Sequence, residues 1–426
     1  MNVATRSHEA DRRPPAFGLN VAISWRNLWR NRARTWLAVG GIAFAVMLIL
    51  AARSAQVSGM SSMLDNSTRM LTGHLQVQNA AYASDPALRN LIPDATAVAR
   101  ALANVPEVNA VAQRAATFAL VCVGDRSYGA QVMGVDPVAE RAISSLPDML
   151  IEGRYLEGAS DAVVGSVMAR NLGANVGDEL VILGSALDGG VAAMSLRIVG
   201  VLDTGTPDLD RALIQVQLAA MQDAFGLNDQ VHIIVARLND FMRAQTIEPK
   251  AAAAVAVLHP DLVVLSWQRL LPELVQSVEL KRISNSMLFG LIALLVTFSI
   301  FNSFLMTVFE RTREFGMLLA IGMRPNGIIG VLALEAMWLA LLGAVIGTLL
   351  GWALIAWAGH VGIPLGDMAG ELLRRYHMPD RLYPVIDDGA LIAVPLLMFF
   401  ATQLAALIPG LRIRRLAPVD ALRVGA

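Results

Sequence analysis

The stretch IIGVLALEAMWLALLGAVIGTLLGWALIAWA, residues 328–358, contains a single charged side chain, that of Glu335. An α-helix rises about 1.5 Å per residue, so about 20 apolar residues cross the roughly 30 Å hydrocarbon core of a bilayer. Three further uncharged runs of similar character lie at residues 36–52, 287–309 and 390–411. We therefore predict an α-helical membrane protein with four transmembrane helices.

The overall composition agrees with this prediction. The 426 residues are 55% hydrophobic and 16% charged, whereas an average soluble domain has about 25% charged residues. A formal net charge of −1 shows no overall basicity, so no nucleic-acid partner is predicted. The single cysteine, Cys122, excludes an intramolecular disulfide framework and a CxxC motif.

Basic residues indicate the orientation, because cytoplasmic flanks of membrane helices collect Lys and Arg. Residues 1–35, 310–327 and 412–426 together hold 14 basic and 5 acidic residues. Residues 53–286 hold 17 basic and 24 acidic residues, and residues 360–388 hold 3 and 5. We predict a multi-pass protein of the bacterial inner membrane with both termini in the cytoplasm.

More than 230 residues separate the first two apolar runs, enough for one or two domains with cores of their own. Short β-branched runs alternate there with helical patterns, which predicts a large α+β extracytoplasmic, periplasmic domain. Gly124 and Asp125 between two alternating runs indicate a hairpin. Polar helical stretches at residues 53–70 and 267–286 continue the first two spans and are predicted to be rigid stalks.

The predicted organisation follows the chain in nine segments. They are a cytoplasmic N-terminus (1–35), the first span and stalk (36–70), the periplasmic domain (71–266, with a second β-rich part near 160–230), the second stalk and span (267–309), a cytoplasmic segment (310–327), the third span (328–359), a periplasmic loop (360–388), the fourth span (389–411) and a cytoplasmic tail (412–426).

Motifs for catalysis are missing from the sequence. A Walker A loop needs Gly-Lys-Ser/Thr to hold phosphates, and the two lysines, Lys250 and Lys281, follow Pro249 and Leu280. The six histidines have no HxxxH or HExxH spacing, so no metal site is predicted. Cys122 lies in an apolar run and is interpreted as a structural cysteine. We predict no catalytic residue and no cofactor bound by this chain.

Two segments beside the spans have amphipathic patterns. The first, before residue 36, is predicted to be an interfacial helix, with an apolar face and a basic face formed by Val21, Trp25, Leu28, Trp29, Arg26, Arg30 and Arg34. The alternative is a basic flanking stretch and nothing more. The second segment, ERTREFGMLLAIGMRP at residues 310–325, combines charges with an apolar set and can dock into a groove of a cytoplasmic partner.

Polar and small residues inside the spans predict helix packing. Gly343, Gly347 and Gly351 recur at four-residue spacing, which lets a second helix approach closely. Asn302 is predicted to hydrogen-bond across a helix interface. Glu335 is the one carboxylate within a span; it faces either the bundle interior or the headgroups, and the alternative is a functional ionisable group.

Four stretches together make the chain resemble the FtsX-like permease superfamily, which includes the MacB and LolC/LolE subunits of ABC transporters. They are WRNLWRNRARTWL before the first span, ERTREFGMLLAIGM after the second, the glycine-spaced third span, and the closing PGLRIRRLAPVDALR. The strand GHLQV and the block LRIVGVLDTGTPDLDRALIQV resemble the LolC/LolE lipoprotein-releasing branch more than the MacB branch.

The resemblance implies a permease subunit that works by mechanotransmission. A separate LolD/MacB-like ATPase would bind ATP and Mg, and its movements would pass through a coupling helix to the periplasmic domain. Further implied partners are a second permease copy or paralogue, a lipid or lipoprotein substrate, and a periplasmic carrier or adaptor. The coupling residues carried over from the family are Glu310, Arg311, Arg313, Glu314, Phe315, Gly316, Met317, Leu318, Gly322 and Arg324.

Alternative functions stay open at this point. An FtsX-like signalling module would activate a periplasmic cell-wall hydrolase, and a MacB-like exporter subunit would work with an outer-membrane partner. An ion-coupled transporter centred on Glu335 would need more helices or an oligomer with inverted repeats, and no repeat is visible.

Overall fold

A computed structural model describes residues 17–364 and 381–415. The beginning of the N-terminal segment, most of the predicted loop 360–388 and the end of the closing stretch PGLRIRRLAPVDALR lie outside the described residues. The chain divides into two units. The membrane unit comprises Met1–Gly59, Lys281–Ile363 and Leu382–Ala426, and the outer unit comprises Met60–Leu280 and Pro364–Arg381.

The described α-helices include four that are much longer than the others. In chain order the helices are α1 (Phe17–Leu28), α2 (Arg32–Met70), α3 (Ala80–Ser84), α4 (Ala95–Ala103), α5 (Pro137–Ile143), α6 (Ser166–Leu172), α7 (Pro207–Ala212), α8 (Leu218–Phe225), α9 (Ala244–Ala256), α10 (Trp267–Leu270), α11 (Pro272–Glu310), α12 (Thr312–Ala320), α13 (Pro325–Val361) and α14 (Asp388–Gly410).

The β-strands lie almost entirely between α2 and α11. They are β1 (Leu75–Asn79), β2 (Val108–Val123), β3 (Arg126–Val135), β4 (Leu150–Gly153), β5 (Asp161–Gly165), β6 (Glu179–Ser185), β7 (Val191–Leu202), β8 (Leu213–Gln217), β9 (Ile233–Leu238), β10 (Leu262–Ser266), β11 (Ile363–Pro364) and β12 (Arg381–Leu382).

The four long helices α2, α11, α13 and α14 are each long and apolar enough to cross a membrane, counted over the described residues. Each predicted apolar run lies within one of them. Their sequences also explain where two of them begin: α13 has Pro325 in its first turn, where no backbone N–H is required. Asp387 caps α14 by accepting a hydrogen bond from the Ala390 N–H at 3.2 Å. The predicted fold class is confirmed.

Three of these helices form a packed core. Side chains of α2, α13 and α14 share one hydrophobic cluster, to which α11 adds Ala293, Ile300 and Phe304. The glycine row of α13 faces α2: a Cβ on Gly343 would lie 2.6 Å from the Ile42 Cβ, and one on Gly351 would lie 3.1 Å from a Leu50 methyl carbon. The structure therefore places the glycines where close helix packing requires them.

The strands β1 to β10 of the outer unit form one ten-stranded sheet, and at one end of it four antiparallel strands lie in the order β10-β1-β9-β2. β9 lies between β1 and β2, which makes a split βαβ arrangement of the ferredoxin-like kind. Helices α4 and α9 contribute apolar residues to the same core as these strands. This part corresponds to the porter-like part that the resemblance implies.

The second part of the outer unit has its own core and begins earlier than expected. Strand β2 has 16 residues and extends beyond its pairing with β9 to pair with β3 and β6. Residues from Ala115 to Leu227 line the second core. The predicted boundary near residue 160 therefore moves back to the middle of β2, because one long strand serves both cores. Val123 pairs with Arg126, which confirms the hairpin at Gly124 and Asp125.

The two predicted stalks differ in continuity. α2 runs without a break to Met70, as expected. The second stalk is broken, since α10 ends at Leu270 and α11 begins at Pro272. Proline disfavours the helical conformation for the residue before it, and Leu271, with a φ of −125° and a ψ of 63°, lies outside the helical region. The continuous helix of the second stalk therefore starts five residues later than predicted.

Candidate coupling site

Helix α12 is a separate short helix between the second and third long helices of the membrane unit. Arg311, with a φ of −98° and a ψ of 12°, interrupts the helical path directly after α11. Beyond the other end, Gly322 has a φ of +98°, a conformation that favours glycine. The chain therefore turns on both sides of α12, within the predicted coupling segment 310–327.

The inner face of α12 is anchored in the membrane unit by Phe315. This side chain is 2% exposed and lies in a cluster with Val308, Ile328, Leu332 and Ile413. Gly316 is buried as well. The prediction that Phe315 and Gly316 contact a partner is therefore corrected, because neither has a free surface. Their positions instead support the helix from behind.

The outer face of α12 is apolar and exposed. Met317, Leu318 and Ile321 are 46%, 39% and 84% exposed. The remaining predicted coupling residues on this surface are also exposed, namely Arg313, Gly322 and Arg324. Large exposed apolar side chains next to charges are typical of a protein interaction site.

Arg311 and Glu335 form a buried ion pair behind α12. The Arg311 Nη1 donates to the two carboxylate oxygens of Glu335 at 3.1 and 3.2 Å, and its Nε donates to Glu314 at 2.9 Å. The side chains of Arg311 and Glu335 are 14% and 8% exposed. Glu335 thus faces the interior of the bundle, as one of the sequence interpretations proposed, and Arg311 points inward instead of towards a partner.

A third residue, Asn27, completes this pair and was missed in the sequence. Its Nδ2 donates to the Glu335 Oε1 at 2.8 Å. Asn27 is one of several polar residues in a basic stretch, so nothing in the local pattern distinguishes it. Its position follows from the packing of α1 against α13.

The apolar face of α1 contacts α13 instead of facing lipid alone. Leu28 is buried, and the Trp25 ring packs edge-on against Trp338 with centroids 5.2 Å apart. Trp29 is half-buried and lies between Trp25 and Trp36. The predicted amphipathic pattern is present, with Arg26 and Arg30 exposed. Docking on α13 is an outcome that the pattern alone did not indicate.

Two outer ion pairs surround the buried one. Arg30 lies 2.9 Å from Glu314, and Arg34 lies 2.7 Å from Glu310 and 3.1 Å from the Thr307 hydroxyl. Together with Arg311 and Glu335, three guanidinium groups face three carboxylates around a cavity of about 290 Å³. The charges balance, so the cavity has no excess of either sign.

The protonation states of Glu314 and Arg311 follow from these contacts. Burial alone would raise the pKa of Glu314, but hydrogen bonds from Arg311 and Arg30 lower it below its ordinary value. Burial disfavours the charged form of Arg311, yet the neighbouring carboxylates of Glu335 and Glu314 outweigh it and raise its pKa. Both groups are held in their charged forms.

The opposite end of the membrane unit is held by polar contacts between α2 and the residues before α14. Arg53 donates to Asp387 at 2.9 Å. The Ser54 hydroxyl donates to the Val385 carbonyl at 2.6 Å, and the Ser58 hydroxyl accepts from the Val385 N–H at 2.7 Å. The hydrogen bond from Arg53 lowers the pKa of Asp387. None of these residues was singled out in the sequence.

Asn302 does not pack against another of the described helices. Its side chain is exposed on α11, next to apolar residues such as Phe298 and Met306, which are 67% and 52% exposed. In the apolar stretch of α11 that is suited to cross the membrane, only 17% of the residues are buried, compared with 44% in the corresponding stretch of the first span. The prediction of helix packing by Asn302 is therefore corrected for the single chain.

The outer unit has a buried ion pair of its own at the end of α2. Arg114 and Glu140 are 1% and 0% exposed, and two hydrogen bonds of 3.0 and 2.7 Å join them. Arg114 also donates to the Leu71 carbonyl, one residue after α2 ends. Ser144 donates to the Met70 carbonyl at 3.2 Å. The pair therefore fastens the end of the first stalk to the sheet and to α5.

Among residues 17–364 and 381–415, no group of three His, Cys, Asp or Glu side chains could hold a metal ion. Cys122 is half-buried in β2. The side chains brought together in the membrane unit are ion pairs and an apolar surface, which suit mechanical attachment to a partner.

Two family models match the chain. The MacB-like periplasmic core domain matches residues 35–254, and the FtsX-like permease C-terminal domain matches residues 286–418. The chain belongs to the MacB-like, FtsX-like permease family. It is an ABC transporter permease of the LolC and MacB type, with its periplasmic core domain between the first and second spans.

Among its relatives is the lipoprotein-releasing system transmembrane protein LolC of Neisseria meningitidis serogroup B. The two are 23% identical over 404 residues, which is 91% of this chain and 94% of LolC. The macrolide export ATP-binding/permease protein MacB of Bartonella quintana is 22% identical over 92% of this chain, but the match spans only 57% of MacB. A solved structure, the periplasmic region of MacB from Actinobacillus actinomycetemcomitans, covers 51% of this chain with a TM-score of 0.37 and 14% identity.

Proposed function

We propose that this chain is the mechanotransmission permease of an ABC transporter in the bacterial inner membrane. It couples ATP hydrolysis by a separate LolD/MacB-like ATPase to the extraction or release of a lipoprotein or another amphiphile on the periplasmic side. The observation that carries this proposal is the geometry of α12. One face of α12 is apolar and exposed, while Phe315 and the Arg311–Glu335 pair attach the opposite side of the helix to the bundle. A force on the exposed face is therefore transmitted to the bundle.

A separate ATPase is supported by the sequence. Its only lysines, Lys250 and Lys281, belong to no phosphate-binding loop. The match to LolC, which is named as a transmembrane protein of a lipoprotein-releasing system, spans 94% of that relative. ATP and Mg are accordingly assigned to the partner, and this chain is assigned no catalytic role.

Work on the periplasmic side is supported by the two long helices that leave the membrane. α2 extends from Arg32 to Met70 and α11 from Pro272 to Glu310, 39 residues each. At about 1.5 Å per residue, each is roughly 58 Å long, nearly twice the hydrocarbon thickness. A displacement at one end of such a helix moves the other end, so the substrate does not need to cross the membrane.

Coexpression with an ATPase from a neighbouring gene, followed by copurification from mild detergent, tests whether this chain binds an ATPase subunit. We expect a stable complex with the natural chain. Ile321→Asp is expected to abolish it, because the change places a carboxylate at the centre of the exposed apolar face. Val257→Asp, which alters an 84% exposed apolar residue of the outer unit, is the matched control. Absence of any ATPase from the natural complex would overturn the proposal.

The substrate class needs its own assay. A triacylated lipopeptide is expected to stimulate ATP hydrolysis by the reconstituted complex, as the similarity to LolC suggests. Stimulation by a macrolide and not by the lipopeptide would favour the MacB-like exporter. Activation of a periplasmic hydrolase without either response would favour the FtsX-like signalling module.

A second permease copy or paralogue is also part of the proposal. Asn302 exposes a carboxamide in the apolar stretch of α11, where water is scarce and an unpaired polar group costs free energy. A second chain would supply the missing hydrogen bond. Asn302→Cys in a Cys122→Ser background is expected to form a disulfide-linked dimer in membranes. Phe400→Cys, 64% exposed on α14, is the control that should stay monomeric.

A further inference from the structure

Glu335 carries more hydrogen bonds than charge compensation alone requires. It lies ten residues after the start of α13 and is 6% exposed. Its Oε1 accepts from Asn27 at 2.8 Å and from Arg311 at 3.1 Å, and its Oε2 accepts from Arg311 at 3.2 Å. A carboxylate among apolar helices is stable only when such donors surround it. Its position therefore depends on both partners.

The two donors come from different parts of the chain. Asn27 belongs to α1, and Arg311 is the single residue between α11 and α12. Arg311 is also the point at which the helical path is interrupted. Glu335 thus connects α13 with α1 and with the turn that determines how α12 leaves α11.

The guanidinium group of Arg311 restricts the orientation of α12 relative to Glu335. Its Nε binds Glu314 on α12 at 2.9 Å while its Nη1 binds Glu335. A planar guanidinium that is held at two edges has little rotational freedom. The Arg311 group lies 5.2 Å from the centroid of the Phe315 ring, which restricts it further. The orientation of α12 is therefore tied to Glu335 through the guanidinium group of Arg311.

We propose that Glu335 is a positioning residue of the permease. Through Arg311 it sets the angle of α12, and through Asn27 it makes α1 move with α12 and α13. The inference rests on the proposed function, in which α12 receives the movement of the ATPase. Burial of Phe315 holds α12 against the bundle, whereas the Glu335 contacts determine its orientation there.

Distances between spin labels test the positioning without any partner. Labels are attached to Arg26→Cys on α1 and Met317→Cys on α12, both exposed, in a Cys122→Ser background of the full chain. We expect one narrow distance distribution in the parent. Glu335→Gln removes the charge at equal size and is expected to broaden the distribution at least twofold. Glu335→Asp keeps the charge, and the flexible stem of Arg311 can follow it, so a narrow distribution is expected to return.

The matched control is Glu310→Gln, the same exchange in the exposed pair with Arg34, which should leave the label distances unchanged. Thermal unfolding of each labelled variant verifies the fold. If Glu335→Gln lowers the unfolding temperature enough to blur the comparison, Asn27→Ala, which deletes one half-exposed donor, provides the second test. A distance distribution in Glu335→Gln that is as narrow as that of the parent overturns the inference. If Asn27→Ala has to be used instead, an equally narrow distribution in that variant overturns it.

The functional consequence is measured in the reconstituted complex with its ATPase. With Glu335→Gln we expect copurification to persist and the lipopeptide-stimulated part of ATP hydrolysis to fall at least fivefold. Equal stimulation in Glu335→Gln and the natural chain overturns the inference alone. Failure of the natural chain to bind an ATPase overturns the proposed function, while the label distances still decide the role of Glu335.

Discussion

Gly347 of α13 lies so close to Ala43 of α2 that a Cβ built on the glycine would be 2.5 Å from the Ala43 carbonyl oxygen. The same Cβ would be 2.8 Å from the Cβ of Val46. Both neighbours belong to a helix with little room to move, so the backbone of α13 would have to shift. The first and third spans therefore depend on this glycine for their separation.

We expect Gly347→Ala to destabilise the membrane unit by about 1–3 kcal/mol, the usual cost of overpacking a close contact. Gly330→Ala on the same helix is the control, because nothing lies within 4 Å of its built Cβ. Alanine there is expected to stabilise the helix slightly, by about 0.5–1 kcal/mol. Thermal unfolding in detergent distinguishes the two. Equal unfolding temperatures for both variants would contradict the close packing.

Helix α12 should separate stability from partner binding. Phe315→Ala removes a buried ring and is expected to cost about 3–5 kcal/mol of stability. Leu318→Asp changes a side chain that is 39% exposed and should leave the unfolding temperature within about 1 °C while reducing copurification of the ATPase more than tenfold. The opposite pattern, with a stable Phe315→Ala and an unstable Leu318→Asp, would show that the two faces are assigned the wrong way round.

The buried pair of the outer unit makes a prediction about charge removal. Arg114→Met leaves the Glu140 carboxylate buried without its partner, and we expect a loss of about 3–5 kcal/mol. The double variant Arg114→Met/Glu140→Leu removes both charges and should recover most of that loss, since apolar side chains of similar size fill the space. Arg154→Met is the control, because the Arg154 side chain is 47% exposed and water screens its ion pair with Asp161. Chemical denaturation of the full chain measures all three.

The contact between Arg53 and Asp387 predicts a response to acid. Asp387 has a lowered pKa because Arg53 hydrogen-bonds to its charged form. Its contribution to stability is therefore complete above the unfolded pKa of about 4 and is lost as the pH falls through the lower folded pKa. The side chains are 44% and 25% exposed, so the contribution is below about 1 kcal/mol.

Arg53→Gln is expected to raise the pKa of Asp387 towards its unfolded value, so the acid loss becomes smaller and is complete at a higher pH. The unfolding temperature measured from pH 7 to pH 3 reports the change. Arg89→Gln, which removes a fully exposed ion pair with Asp85, should leave the profile unaltered. If the unfolding temperature falls in the same way with acid in Arg53→Gln and in the natural chain, the ion pair does not couple α2 to the residues before α14.

Helices with a clear period or a clear end were predictable from the sequence. A helical pattern at residues 95–103 predicts α4 at its observed bounds, and Gly173 and Gly226 predict the ends of α6 and α8, where both glycines take positive φ angles. No pattern predicts strand β5, because DAVVG is buried on both faces and shows no alternation. The β-branched run at residues 117–123 predicts only the second half of β2, since the burial pattern of this strand changes where it passes from one core to the other.

The candidate site shows the same division. The apolar runs, the arginine placement and the segment 310–325 are local properties of the chain, so the sequence by itself determined four spans, a large outer domain and the position of the short amphipathic helix α12. Which face of α12 is buried, that Arg311 turns inward, and that Asn27 meets Glu335 across 308 positions of sequence were decided only by the tertiary structure. The physical reason is that a buried carboxylate takes its partners from whichever helices pack around it, and that choice is made in three dimensions.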